Sequence, residues 1–237
     1  MSDFKRFPNR PRGGPGGNPR GDRHRDQSPR RQEVAYLRKG SIVYVLDILQ
    51  HGGVDRPDKT ANRNWQPVCQ VLLVPTYHFF ELALNKGEIV SIQQKIEYVG
   101  EKSPLGRIQR RLAYGDLTMT SKDILPDVLQ SYVKDNEAQF VEFLNQAGPI
   151  TIKRHSLEVL PGIGKKTMWD LVNQRQRAPF QSFDDLKRRV PGLKIEEIIA
   201  KRIVEELSLP DEKHFLFVKR GKPKEQAPQR PPQNNPF

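Results

Sequence analysis

The sequence predicts an α+β chain: a small β-barrel, then an all-α domain, with a disordered basic tail at either end. Three observations predict it. Between residues 34 and 102 the apolar residues fall in short runs rich in Val, Ile, Leu, Tyr and Phe, separated by turn residues, as strands do. From about residue 121 onward they recur at steps of three and four, the helical period. Residues 1–33 and 219–237 hold almost nothing apolar, so burial there cannot offset chain entropy. The chain therefore divides into a tail (1–33), a barrel (34–102), a helical connector (103–150), an all-α domain (151–218) and a second tail (219–237).

A length of 237 residues accommodates one or two domains. The net charge is +12 and the sequence pI about 9.9, but the charge is uneven. The first tail carries nine Lys/Arg against four Asp/Glu, and the last carries five against one. Residues 34–218 are left with only +3. Within 151–194, however, ten basic residues meet four acidic ones, the local excess that a phosphate contact needs. The single cysteine, Cys69, excludes an internal disulfide framework and a cysteine zinc cluster, and fits a reducing compartment. No apolar run approaches a membrane span, and the N-terminus lacks the apolar core of a secretory signal. A cytoplasmic protein is expected.

Taken in order, the first tail is Arg, Gly, Pro, Asn and Asp, with Phe4 and Phe7 as exceptions. Such a tail either binds RNA by charge and loose stacking or solubilises the chain; no repeated Arg-Gly-Gly unit decides between these. Tyr36 and Ile42 to Leu49 form the first β-rich run, ended by His51-Gly52-Gly53. A polar loop over 54–64 follows, with Arg56, Lys59 and Arg63. Trp65 to Val74, broken by Pro67, then Tyr77 to Leu84, then Glu88 to Val99 read as further strands, with a turn at Asn85-Lys86-Gly87. This pattern suggests an OB-like barrel or half-barrel of about 65 residues. His51 and His78 are isolated and read as ordinary histidines rather than metal ligands. Tyr77, Phe79 and Phe80 alternate along a strand and read as core more readily than as base-stacking residues.

Residues 100–105 form a linker. Arg107, Arg110 and Arg111, at i, i+3 and i+4, fall on one face of a short helix, with Ile108 and Leu112 on the other. The charged face either touches phosphate or is simply solvated. Tyr114 to Leu117 breaks that helix. Thr120 caps the next, which begins at Ser121 and carries the stripe Ile124, Leu125, Val128, Leu129, Tyr132 and Val133, with Pro126 in or near its first turn. Asn136 to Gln146 continues helically to Gly148-Pro149. These helices read as scaffold.

The stretch His155 to Gln174 carries the functional expectation. Leu157, Leu160, Ile163, Met168 and Leu171 fit two short helices joined by the turn Pro161-Gly162-Ile163-Gly164. The glycines permit positive φ and close backbone approach. Lys165-Lys166-Thr167 open the second helix, where free N–H groups, the helix dipole and two ammonium groups make a phosphate seat. The plain alternative is a glycine-terminated helix followed by another. The string resembles the helix-hairpin-helix motif, which grips the sugar-phosphate backbone without reading bases. The candidate nucleic-acid-binding residues are Pro161, Gly162, Ile163, Gly164, Lys165, Lys166 and Thr167, with Lys153, Arg154, Arg107, Arg110 and Arg111 as outlying contacts. The resemblance also admits a monovalent ion on the hairpin carbonyls. Met168 stands where the motif often has Ala, so the helix packing departs from the pattern. Ser182 caps a helix to Val190, Pro191-Gly192-Leu193 forms a second elbow, and Ile195 to Leu207 a last helix. This second unit lacks the second glycine and reads as structural, with Lys194, Lys201 and Arg202 as possible backbone contacts. His214 to Val218 reads as a closing strand or apolar tail.

The strings TIKRHSLEVLPGIGKKTMW, PFQSFDDLKRRV and HFLFV, with YVLDIL, YGDLT and FVEFLNQAGPIT upstream, resemble the archaeal family DUF655 over roughly Ile42 to Val218. The resemblance implies an OB-like barrel joined to a tandem helix-hairpin-helix domain and an RNA-binding role, with no established activity. The expected function is non-catalytic nucleic-acid binding. RNA is favoured over DNA, the ribosome or another ribonucleoprotein is an admissible partner, and no cofactor, membrane or small-molecule substrate is called for. Two alternatives stay open. A barrel followed by two hairpins is also the order in the Holliday-junction protein RuvA, which implies a DNA repair or junction accessory. PGIGKKT also resembles the hairpin of base-excision DNA glycosylases, in which Lys166 would attack the sugar and Asp184 assist. The SFDD context and the lack of iron–sulfur cysteines depart from that pattern.

Overall fold

Short apolar runs in the N-terminal half build a five-stranded antiparallel sheet: β1 (Ser41–Leu49), β2 (Val68–Val74), β3 (His78–Leu84), β4 (Lys95–Tyr98) and β5 (Leu105–Leu112), in the order β4-β1-β2-β3-β5. The computed structural model describes residues 37–50, 52, 66–209 and 212–219. The tails, His51, Trp65 and the polar loop of 54–64 lie outside the described residues.

The sheet is apolar on both faces, which is why its sequence reads as near-continuous hydrophobic runs. Tyr44, Leu46, Leu72, Val74, Phe79 and Leu112 face the helices. Val43, Val45, Cys69, Val71, Leu73, Phe80, Leu82 and Leu105 form the opposite face, covered by Leu37, Val90 and Ile96. Geometry forces this sheet to coil. Laid flat, Tyr98 and Leu105 would stand four strand spacings apart laterally and about eight residues apart lengthwise, a separation of about 33 Å. The six residues joining them reach at most about 25 Å. Register shifts at Val45/Asp47, Glu81/Leu82 and Leu82/Leu84 supply the bends. The expected barrel is not closed: β4 and β5 remain edges of the sheet.

Residues 105–112 correct the sequence reading, being a strand rather than a helix. One bulge against β3 puts Leu105 and Ile108 on one face although they are three residues apart, and a second follows before Arg110; Ile108 and Leu112, read as one helix face, lie on opposite faces of the sheet. Residues 88–94 are irregular with a turn at 92–93, and only Lys95–Tyr98 of that run is strand.

The helical layer comprises α1 (Met119–Asp135), α2 (Glu137–Gln146), α3 (Lys165–Arg177), α4 (Phe183–Arg189) and α5 (Ile195–Ser208). The cap of α1 is Thr118, not Thr120: its Oγ1 accepts from Ser121 N at 3.1 Å. Thr118 wins because the sheet holds it. Its Oγ1 donates to Asp47 Oδ2 at 2.6 Å, and its N–H donates to Oε1 of the fully buried Gln70 at 3.0 Å. Ser121 Oγ donates to the same Gln70 oxygen at 2.7 Å. This earlier start puts Pro126 inside α1, on its exposed side. Apolar contact then runs unbroken from Tyr44 on the sheet through Leu129, Phe140 and Leu171 to Ile203. No helix among the described residues is long and apolar enough to cross a membrane.

His214 to Val218 forms no strand. It is a strap held by the carboxylate of Glu206, which is 0 % exposed. Oε1 accepts from Leu216 N at 2.7 Å, and Oε2 accepts from Phe217 N at 3.0 Å and Val218 N at 2.8 Å. Arg202 Nε closes the cluster at 2.9 Å from Oε1, and its guanidinium also donates to the His214 carbonyl. Arg202 is therefore a buried structural cation, not a backbone contact.

Two outcomes follow. Glu206→Ala leaves Arg202 Nε and three amides without their acceptor and should cost about 3–5 kcal/mol in chemical denaturation. Burial, and then the charge of Asp47, push the Cys69 thiol up to about 12, so thiol reagents at pH 8 should react only after denaturation.

Candidate nucleic-acid interface

The elbow begins with a two-stranded ribbon, β6 (Pro149–Thr151) and β7 (Arg154–His155), which the sequence reading missed. Lys153 and Arg154 are exposed on it, beside the fully exposed Ile152. The first short helix is a 3-10 turn, Ser156–Val159. His155 caps it: Nδ1 accepts from Leu157 N at 3.1 Å, while its own N–H donates to Glu158 Oε2 at 2.9 Å. Burial, then the neighbouring Arg175, lowers the His155 pKa, which keeps Nδ1 free to accept.

Leu160-Pro161-Gly162-Ile163 is a β-turn closed by Ile163 N donating to Leu160 O at 3.1 Å. Gly162 has φ +80, the left-handed value that a type II turn demands at its third residue. Gly164 is the N-cap of α3, and its carbonyl accepts from Met168 N at 2.9 Å. Those two bonds leave the amides of Gly162, Gly164, Lys165, Lys166 and Thr167 with no acceptor among the described residues. Gly162, Gly164, Lys165 and Lys166 are exposed and Thr167 half-buried. A Cβ built on either glycine meets nothing within 4 Å, so the space beside them is open. Ile163 points the other way, into the core with Met168, Leu171 and Val172. Its side chain anchors the turn, which corrects its place among the candidate side-chain contacts.

The second elbow repeats the first thirty residues later. Val190-Pro191-Gly192-Leu193 matches Leu160-Pro161-Gly162-Ile163, with Gly192 at φ +83 and Leu193 buried. Its helix instead opens with Glu196 and Glu197, whose charges oppose an anion. Lys194 pairs with Glu197 at 3.2 Å, and Lys187 with the buried Glu196 at 2.7 Å.

Much of the local basic excess is structural. Arg175 donates to the carbonyls of Leu144 at 2.7 Å and Ala147 at 2.5 Å, closing the end of α2. Arg189 donates to the carbonyls of Gln174 and Ala178 and lies over the Phe180 ring. Arg188 meets Asp185 at 3.5 Å. Lys153, Arg154, Lys165, Lys166 and Arg177 make no ion pair among the described residues. On β5, Arg110 donates to the buried Glu81 at 2.6 Å, which corrects its assignment as a phosphate contact. Arg107 and Arg111 are exposed on that edge strand, on a different element from the elbow. Asp184 is exposed and 3.7 Å from Lys187. Among the described residues no cluster of His, Cys, Asp or Glu could hold a metal.

Sequence reasoning also passed over Trp169. It is 58 % exposed on α3, one position outside the apolar stripe of Met168, Leu171 and Val172. That offset was its only signal.

The comparisons agree with this architecture. A family model described as "Protein of unknown function (DUF655)" matches residues 39–219. An uncharacterised protein of Methanocaldococcus jannaschii, MJ0038, is 35% identical over 182 residues, covering 76% of this chain and 80% of the relative. The crystal structure of Af1531 from Archaeoglobus fulgidus, of the same family, superposes with a TM-score of 0.67 at 35% identity, covering 76% of this chain and 99% of that one. A match across most of the folded part, sustained in both sequence and structure, makes this chain a member of the DUF655 family.

Proposed function

We propose that this protein binds nucleic acid without catalysis, holding the phosphate backbone at the Pro161–Thr167 elbow as a helix-hairpin-helix unit does. One observation carries the reading: among the described residues, five amides, at Gly162 and Gly164 to Thr167, have no acceptor and stand beside two lysines with no ion pair. Amides at a helix start together with ammonium groups suit an oxyanion. Contacts of this kind position a backbone and do not read sequence. The acidic second elbow is then the structural half of the tandem unit. The coiled sheet, with both faces apolar, is the OB-like platform on which that unit rests. RNA is the favoured ligand, because the Arg- and Gly-rich N-terminal tail suits single strands held by charge and stacking. Junction or repair DNA is the alternative. Asp184 is engaged with Lys187, which gives the lyase reading little support.

Lys165→Glu with Lys166→Glu should weaken binding to RNA and DNA alike. The slope of log affinity against log salt should shrink by about 2, one for each lost phosphate contact. Filter binding or fluorescence anisotropy across a salt series measures both. Unchanged affinity and slope would remove the elbow from the interface. Competition of structured RNA against duplex and branched DNA separates the RNA reading from the junction reading.

A further inference from the structure

The elbow does not account for the outer face of α3. Residues four apart on a helix stand one above another. Lys165, Trp169, Asn173 and Arg177 form such a row, winding about 120° around the helix from first to last, and all four are exposed. It spans about 18 Å along the helix axis. Lys166 flanks it, and Asp170 is the carboxylate beside it; neither makes an ion pair among the described residues. The α3 side of the core is already filled by Met168, Leu171 and Val172, so the fold does not need the Trp169 ring. A cation, an indole face, an amide and a second cation in series match a phosphate, a base face, a base edge and a phosphate.

We infer that this face is a track for an unpaired stretch of nucleic acid, in which Trp169 stacks on one base. Lys165 and Arg177 take phosphates to either side, and the Asn173 amide meets a base edge. This rests on the nucleic-acid reading above and adds the class of ligand: single strands or unpaired loops rather than duplex. In a duplex each base is already stacked on its neighbours and offers no face to the indole.

Trp65→Phe in the full chain leaves Trp169 as the sole tryptophan. This protein is titrated with a single-stranded RNA, the same sequence as single-stranded DNA, and a blunt duplex. Both single strands should quench Trp169 emission and the duplex should not. Trp169→Ala should weaken single-strand binding about ten-fold or more and leave duplex binding and the salt slope unchanged. Trp169→Phe should fall between. Should the alanine variant fail a thermal-unfolding check, the quenching and the phenylalanine variant still decide. Single strands that bind without quenching Trp169, or equal losses for single strand and duplex, overturn the track and leave the elbow reading standing. Failure of the wild-type chain to bind any of the three overturns the nucleic-acid reading itself.

Discussion

A carboxylate removed from water must be surrounded by donors, and Glu206 is where this fold meets that constraint. Its two oxygens accept three successive backbone amides and one guanidinium nitrogen. The result is that a short C-terminal strap with no secondary structure of its own is held as firmly as a strand. The strap delivers Phe217 against Phe140 and Phe143, with ring centroids 5.7 and 4.9 Å away. It thus lies against α2, beside a cleft that the β2–β3 turn lines with Pro75 and Tyr77.

A second constraint decides what the elbow presents. Helix α3 is clamped at its C-terminal end, where Arg175 reaches α2 and Arg189 crosses from α4. Asn145 exchanges two hydrogen bonds with the backbone of Phe180, both at 2.9 Å. These ties consume cations that a composition count assigns to ligand binding. The surplus is smaller than the sequence total suggests: on α3 it is Lys165 and Lys166 at the opposite end, with Arg177 at the clamped end, none of them ion-paired among the described residues.

Much of this was legible in advance. The strands at 41–49, 68–74 and 78–84, the Ser182 cap and both elbows follow from local rules about β-branched runs, hydroxyl caps and Pro-Gly turns. What failed was non-local. A bulged strand over 105–112 imitates helical spacing because pairing with β3 sets its bulges. Thr118 outcompetes Thr120 as a cap because Gln70 and Asp47, distant in sequence, hold it. Arg110 and Arg202 looked available until Glu81 and Glu206 were placed beside them. For the site, turn chemistry located the open amides, while Trp169 was hidden because a single aromatic outside a stripe breaks no rule.

The unbroken apolar contact from Tyr44 to Ile203 has a kinetic consequence. Where the layers do meet through polar groups, Thr118 and Ser121 are bonded to Asp47 and Gln70, which ties α1 to the sheet instead of giving it a hinge. A partner docking on the helical layer meets a surface already in its final shape. Encounter is then governed by diffusion and charge steering, without a slow rearrangement after contact.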